Sequence, residues 1–218
     1  MGASASDWED MAIGPGPAAG VPYLYVGDIG DNGESRATIQ VYRAPEPAVP
    51  ATPGTYPVAG VERLELAYPD APHNAETLLV DPANGDLYIV TKPATAGTAS
   101  KVFRAAAPIS AASTTTLTEV ASLVFGQGSL PGGAQPTGGD IDAGRNYVAI
   151  RTYTSAFAFC FTAEATVAET LTTSPCSVPL LLEPQGESFA FDADGSSYYS
   201  LSEFANQPLH RADRTSAP

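Results

Sequence analysis

The sequence is poor in basic residues, and this shortage excludes several classes of partner. Only two lysines, Lys92 and Lys101, occur in 218 residues, and Lys and Arg together number 10 against 24 Asp and Glu. The formal net charge of −14 repels phosphate backbones, so we expect no nucleic-acid partner. So few charged helix formers also argue against helical bundles and coiled coils. The excess of carboxylates attracts cations instead.

Long apolar runs are also lacking. No run approaches the roughly 20 residues that a membrane helix needs, so we predict no membrane span. The first residues contain neither a basic segment nor an apolar core, and we predict no signal peptide in this chain. Phosphate-binding glycine loops and the Gly-x-Ser-x-Gly elbow of many hydrolases do not occur.

The two cysteines are too few for a disulfide scaffold or a four-ligand zinc site. Cys160 lies in an apolar alternating run, and Cys176 comes just before the next such run. Neighbouring antiparallel strands could bring the two within bridging distance, and a bridge would imply an oxidising compartment. The alternative is a pair of unrelated thiols.

The sequence does contain a fourfold repeat. Related short segments recur at intervals of roughly 50–60 residues. These segments are 41–44, 102–105, 159–162 and 209–212. Two β-rich runs precede each segment, and a further alternating run follows three of the four. Asn84-Gly85 and Asp194-Gly195 are hairpin turns between the first two runs of their units.

Four-stranded antiparallel units in tandem are typical of β-propeller blades. A tandem β-sandwich is the alternative, but the constant order of runs favours the propeller. We therefore predict an all-β fold and a single domain over 1–218. The predicted blades are approximately 7–70, 71–127, 128–184 and 185–218.

The ends of the repeat are irregular. The fourth unit has only three runs, and the first unit begins at its innermost run. Either the last blade is incomplete, or the chain lacks a blade at its N-terminus. An open ring would expose strand edges and favour self-association through them.

Polar residues collect where propeller geometry places one mouth of the central channel. Counting from the hairpins aligns Glu9, Glu76 and Glu187 at the starts of the inner strands, with Thr137 in that register of the third blade. Neighbouring positions add acidic and amide groups, namely Asp10, Asp28, Asn74 and Asp140. The ends of the second strands add candidate ligand-binding residues, namely Asp31, Asn32, Lys92, Arg151, Tyr153 and Glu203.

This cluster predicts a calcium site, because carboxylate and amide oxygens suit Ca²⁺ better than zinc or copper. The predicted ligands are Glu9, Asp10, Asp28, Asn74, Glu76, Asp140 and Glu187. In the alternative interpretation, the carboxylates accept hydrogen bonds from backbone N–H groups and from Arg151 and Lys92. The loop 28–34 resembles a calcium loop weakly, and its alternative is a Gly-rich turn held by Asx hydrogen bonds.

Two further side chains are candidates for chemistry. His73 precedes Glu76 by three residues and could act with it as a general base, because its pKa lies near neutrality. The alternative is a surface or hydrogen-bonding histidine. Trp8, the one tryptophan, could stack on a sugar, although an inner strand favours a place in the core.

Several segments resemble known families. The segments 7–12, 25–32, 73–76 and 186–192 resemble a group of uncharacterised bacterial β-propeller proteins that are often exported and usually carry one more blade before the Asp-Trp-Glu-Asp segment. The last segment, with 198–203, also resembles the phytase-associated esterase-like propellers. More distantly, the arrangement is similar to calcium-dependent lactonase and phosphotriesterase propellers. That resemblance implies an axial Ca²⁺ held by Glu9, Asn74, Glu76, Asp140 and Glu187, with His73 as the base.

Two functions follow from these observations. The first is a ligand-binding or scaffold propeller that binds calcium and takes a small molecule, glycan or peptide at its mouth. The alternative is a calcium-dependent hydrolase of esters, lactones or phosphoesters, so the sequence leaves open whether the protein is an enzyme. The resemblance to exported proteins implies an extracellular, periplasmic or cell-surface location.

Overall fold

The computed structural model describes residues 3–95, 97–125 and 133–214, and nearly all of its regular structure is β-strand. Four separate sheets form the four blades of a β-propeller. The prediction of an all-β propeller with about four blades is confirmed. The boundary predicted between the second and third blades, at 127–128, lies outside the described residues.

The first two blades follow the predicted order of strands from the axis outward. The first blade contains β1 (Trp8–Pro15), β2 (Pro22–Asp28), β3 (Ile39–Pro45) and β4 (Glu62–Ala67). The second contains β5 (Ala75–Val80), β6 (Leu87–Thr91), β7 (Ser100–Ala105) and β9 (Thr118–Leu123). Between β7 and β9, the short β8 (Thr115–Thr116) pairs in parallel with β4, which ties the second blade to the outer edge of the first.

The last two blades become smaller along the chain. The third contains β10 (Pro136–Ile141), β11 (Tyr147–Thr152), β12 (Ala156–Cys160) and β13 (Cys176–Val178). The fourth contains β14 (Gly186–Phe191), β15 (Ser197–Ser202) and β16 (His210–Asp213). The three-stranded fourth blade confirms the prediction of an incomplete unit. The predicted fourth run of this blade, 178–182, is displaced: β13 ends at Val178, and residues 179–182 are not in a strand.

One short helix, α1 (Val167–Leu171), interrupts the third blade between β12 and β13. Thr166 caps its N-terminus: its side chain accepts a hydrogen bond from the Glu169 backbone, and the Glu169 side chain accepts one from the Thr166 backbone. This helix is not recognisable from the sequence, because five residues are too few to display a helical period.

The hydrophobic core lies between neighbouring blades. Alternate residues of each strand face the next blade, so Leu64 and Leu66 of β4 pack in one cluster with Leu78 of β5 and Ile89 of β6. A second cluster joins the second and third blades, and a smaller one, around Phe189, joins the third and fourth. Burying each such aliphatic side chain contributes about 1.5–3 kcal/mol to folding.

The junction between the fourth and first blades differs from the other three. Strand β1 packs against β5, β5 against β10, and β10 against β14, but β14 and β1 are not packed in this way within the described chain. Every residue of β5 is buried, whereas Met11 and Ile13 of β1 are 60% and 47% exposed. The first blade therefore presents an apolar face that no neighbouring blade covers in the described residues.

Candidate functional site

A repeated irregularity places the key acidic side chains. The pairing of each inner strand with the second strand of its blade shifts register near its start, in β1, β5, β10 and β14 alike. The extra residues at these bulges are Glu9 with Asp10, Glu76, Thr137 and Glu187. Because a bulge redirects its side chain out of the normal alternation, it can turn these residues toward the channel. The register counted from the hairpins had aligned the same residues.

Three of these side chains, Glu9, Glu76 and Glu187, line a cavity of about 420 Å³, which we call the mouth pocket. All four blades contribute to it. Its lining residues are Asp7, Trp8, Glu9, Asn32, Glu76, Lys92, Tyr153, Gln185, Glu187 and Glu203. The lining thus holds five carboxylates and one ammonium group. Asp7 and Gln185 also line the pocket, although neither is among the site residues predicted from the sequence.

Lys92 supplies the positive charge of the mouth pocket. Its ammonium group donates hydrogen bonds to Glu76 Oε1 and to the Tyr153 hydroxyl. Burial alone would lower the pKa of Lys92, but these two hydrogen bonds raise it above its usual value. The other oxygen of Glu76, Oε2, is buried and has no hydrogen-bond partner within the described chain. A buried carboxylate oxygen without a partner is free to accept from a ligand.

The carboxylates of Glu9 and Glu187 are held with pKa values far above the usual range. Burial, followed by the charges of Glu76 and Asp7, raises the pKa of Glu9 to about 8. Burial raises the pKa of Glu187 to about 7, with a further contribution from the charge of Glu76. Near pH 7, Glu9 is therefore mostly protonated and Glu187 is about half protonated, so together they carry less than two full negative charges.

Glycine at position 30 lets two carboxylates approach the same place. A Cβ atom on Gly30 would lie 2.3 Å from Glu9 Oε1 and 2.5 Å from Asp7 Oδ2. Any side chain at this position would therefore displace both oxygens. The Asp7 and Glu9 carboxylates therefore both lie against Gly30.

Two predicted metal ligands, Asp10 and Asp140, hold neighbouring blades together. Asp10 Oδ2 accepts a hydrogen bond from the Leu78 backbone N–H at 3.0 Å, and Asp140 Oδ2 accepts one from the Phe191 N–H at 2.9 Å. Burial raises the pKa of Asp140 to about 7 and that of Asp10 well above its usual range. Neither side chain lines the mouth pocket. Their backbone hydrogen bonds match the alternative interpretation of these carboxylates.

Hydrogen bonds to the side chains of Asp28 and Asp31 hold the loop 28–34 in place. Asp28, which is fully buried, accepts from the backbone N–H groups of Ser6 and Asp7 and from Arg36. Asp31 accepts from two backbone N–H groups directly after the loop, those of residues 35 and 36. Asn74 then fastens the loop to the second blade by accepting from the Asp31 N–H at 2.7 Å. Of the loop residues, Asn32 lines the mouth pocket.

Arg151, a predicted ligand-binding residue, is buried behind the mouth pocket. It forms an ion pair with Glu183 at 2.8 Å, and each side chain is only 1% exposed. Its guanidinium also donates to the Ser188 carbonyl, which joins the third blade to the fourth. Gly186 makes room for it, because a Cβ atom there would lie 1.5 Å from Arg151 Nη2. Glu183 is not recognisable as a partner from the sequence, because it lies outside any strand and has no repeated counterpart.

His73 is not among the residues that line the mouth pocket. Its Nε2 lies 3.0 Å from Asp70 Oδ1, and its ring packs between Tyr68 and Phe103. This environment is that of a hydrogen-bonding surface histidine. Glu76, its predicted catalytic partner, faces the mouth pocket instead, so the structure separates the two.

Trp8 lies at the rim of the mouth pocket, and the expectation that it belongs to the core is wrong. Its side chain is 47% exposed, and its ring stacks on Tyr42 with 6.0 Å between the centroids. An inner strand with a blade on each side is covered on both faces. Within the described residues, however, no blade covers the face of β1 that carries Trp8. The exposed indole is thus available to a ligand at the rim.

A larger cleft, of about 650 Å³, lies at the opposite end of β1, beside Pro15 and Ile109. Its charged lining residues, Arg43 and Glu62, form an ion pair with each other at 2.7 Å. Their charges are mutually satisfied, whereas the mouth pocket retains an unpartnered carboxylate oxygen. The mouth pocket is therefore the better candidate for a functional site.

Comparison with known proteins supports the fold. No protein-family model matches the chain. No curated protein matches it either. Among solved structures, the periplasmic gluconolactonase of Pseudomonas aeruginosa is 12% identical, with a TM-score of 0.53 over 96% of this chain and 58% of that chain. The PQQ-bound aldose sugar dehydrogenase of Streptomyces coelicolor is 15% identical, with a TM-score of 0.48 over 95% of this chain and 63% of that chain.

The match to the gluconolactonase agrees with the β-propeller fold described above. The present chain spans less than two thirds of the length of either protein. At such low identity the match concerns the fold, and it assigns no activity to the mouth pocket. The resemblance to phytase-associated propellers stays a prediction.

Proposed function

We propose that the protein is a ligand-binding propeller whose mouth pocket binds cations, calcium in particular. The observation that carries this proposal is the accumulation of five carboxylates around a single ammonium group. Carboxylates gathered in one pocket either retain protons or recruit a cation. The raised pKa values of Glu9 and Glu187 indicate that protons take this part when no cation is bound.

The donor chemistry fits calcium, which prefers oxygen ligands. Asp7 and Glu9 approach each other above Gly30, and Glu187 lies across the pocket. In the described chain, however, no three His, Cys, Asp or Glu side chains already stand in a metal-binding arrangement. Calcium would therefore have to draw the flexible glutamates together, which favours modest affinity. Asp7, Glu9 and Glu187 are the residues that would hold it.

Calorimetric titration with CaCl₂ at pH 7.5 tests this proposal. We expect a dissociation constant on the order of 10⁻⁴–10⁻³ M, as in extracellular calcium modules. The double variant Glu9→Gln/Glu187→Gln should lose the binding, and Glu46→Gln, which changes an exposed carboxylate elsewhere, should retain it. Binding should weaken at pH 5.5, because protons compete for the same oxygens. Equal affinity in the double variant and the control would contradict the proposal.

The same pocket suggests the class of organic ligand. The exposed ring of Trp8 at the rim offers a stacking surface, and the carboxylates and the Tyr153 hydroxyl offer hydrogen bonds. A small molecule, a glycan or a peptide end would fit a cavity of about 420 Å³. A weak calcium site also suits an extracellular, periplasmic or cell-surface location, where calcium is abundant. No helix among the described residues is long and apolar enough to cross a bilayer.

A second candidate function is the hydrolysis of a lactone, ester or phosphoester. The observation in its favour is the pKa of about 8 for Glu9, which keeps that carboxyl protonated at neutral pH and suited to a general acid. Glu187, with a pKa of about 7, could act as the base. A calcium ion that polarises the substrate oxygen would in this case be held by the other carboxylates of the pocket, Asp7 and Glu203.

Assays on lactone, ester and phosphoester substrates with CaCl₂ present test this second function. Activity that disappears in Glu9→Gln and persists in His73→Ala would support it. Activity that survives in Glu9→Gln, or is absent from every substrate class, would rule it out at this pocket. The titration above remains decisive for the first function, because cation binding does not depend on turnover.

A further inference from the structure

The two cysteines lie side by side at the outer edge of the third blade. Cys160 is the last residue of β12, and Cys176 is the first residue of β13. Ala158 pairs with Cys176, so Cys160, two residues along β12, lies diagonally opposite Cys176 on the same face of the sheet. Both thiols are exposed and unbonded in this structure.

The thiol groups also influence each other directly. Burial raises the pKa of Cys160, and the charge and hydrogen bond of Cys176 raise it further. Diagonal partners lie about 7–8 Å apart at their Cα atoms, slightly beyond the usual disulfide range, so a bridge requires a backbone adjustment. Strand β13 can make that adjustment, because it is a three-residue strand at the edge of the sheet.

The segment between the cysteines packs into the hydrophobic core. It contains α1, whose Val167 and Leu171 are buried in the core cluster shared by the second and third blades. The helix contacts β9 of the second blade as well as β11 and β12 of the third. A single helical turn holds little stability of its own, so its position depends on what fastens its ends.

We propose that Cys160 and Cys176 form a reversible disulfide that fastens segment 161–175 over the junction of the second and third blades. In the reaction both S–H bonds break, one S–S bond forms, and two protons and two electrons leave the thiols. A disulfide oxidant of the glutathione class accepts them and is reduced to two thiols. The inference is independent of the mouth pocket and of any cation there.

Comparison of the protein after treatment with glutathione disulfide and with dithiothreitol tests this proposal. The oxidised protein should lose the mass of two hydrogen atoms, resist alkylation and show no intermolecular disulfide on a non-reducing gel. Closing a loop of about 15 residues should raise the melting temperature by about 5–10 °C. Amide hydrogen exchange should slow in 161–175 and stay unchanged in the first blade.

The variants Cys160→Ser and Cys176→Ser serve as controls, since each retains one thiol and cannot close the loop. Their melting temperatures should not differ between the two treatments. Glutathione adducts on both cysteines of the unaltered protein, or disulfide-linked dimers, would overturn the proposed pairing. A bridge that forms without changing the melting temperature or the exchange of 161–175 would overturn its fastening role.

Discussion

Lys92 donates a hydrogen bond to Glu76 inside the mouth pocket, and this pair joins the end of β6 to the bulge of β5. Their side chains are 11% and 7% exposed, so both charges are largely removed from water. The pair leaves Glu76 Oε2 without a partner. One oxygen of the carboxylate therefore serves the fold, while the other remains available to a ligand.

We expect Lys92→Met to destabilise the protein at neutral pH by about 3 kcal/mol, because it leaves the Glu76 carboxylate buried without its counter-ion. Urea denaturation followed by circular dichroism measures this loss. Lys101→Met is the matched control: Lys101 pairs with Asp70 at the surface, and its loss should cost less than about 1 kcal/mol. Equal effects of the two substitutions would show that the Lys92–Glu76 pair is not a buried one.

Stability should fall as the pH rises from about 4.5 to about 8. The pKa values of Glu9 and Glu187 are raised in the folded state, from the ordinary 4.5 to about 8 and about 7. The folded protein therefore binds more protons than the unfolded chain across this range, and deprotonation weakens it. Melting temperatures at pH 5 and pH 8 measure the effect. Glu9→Gln/Glu187→Gln should be less sensitive to pH, and an unchanged slope in that variant would assign the dependence to other groups.

Gly186→Ala should disrupt the junction of the third and fourth blades. Its Cβ would lie 1.5 Å from Arg151 Nη2, so the buried pair with Glu183 would have to separate. Separating a buried ion pair costs about 3–5 kcal/mol. Gly33→Ala is the control, because the nearest atom to its Cβ, Ser35 Oγ, is 3.6 Å away. Chemical denaturation compares the two, and a Gly186→Ala protein as stable as the control would contradict the prediction.

The uncovered face of the first blade predicts self-association. Met11 and Ile13 are exposed on an inner strand, where the second blade buries every residue. Light scattering over a concentration series should reveal oligomers that Ile13→Glu abolishes. Val49→Glu should leave them unchanged, because Val49 is 92% exposed in a loop away from the strands. A protein that is monomeric at every concentration would refute this prediction.

The sequence was informative about the site wherever the blade repeat could be aligned. Counting from Asn84-Gly85 and Asp194-Gly195 aligned Glu76 with Glu187, and the structure places both at equivalent bulges. Repetition made this prediction feasible, because each blade repeats the hairpin that fixes the register.

Features without a repeated counterpart escaped prediction. Glu183 lies in an irregular segment, and its pairing with Arg151 is visible only in the folded structure. The alternation in β1 gave no indication that Trp8 would be exposed, since exposure depends on whether another blade covers that face. His73 likewise resembled a mouth residue by its position near Glu76, yet its side chain packs against Phe103 instead.

The lack of packing between β14 and β1 within the described residues also bears on how the protein folds. The main contacts between blades join each blade to the next one along the chain. The folding of one blade therefore stabilises its immediate neighbours, as in linear repeat proteins. A ring closed on all sides would lose its structure as one unit. In this protein unfolding should begin at the free sides of the first and fourth blades and spread inward, with the second blade, whose inner strand is buried throughout, persisting longest.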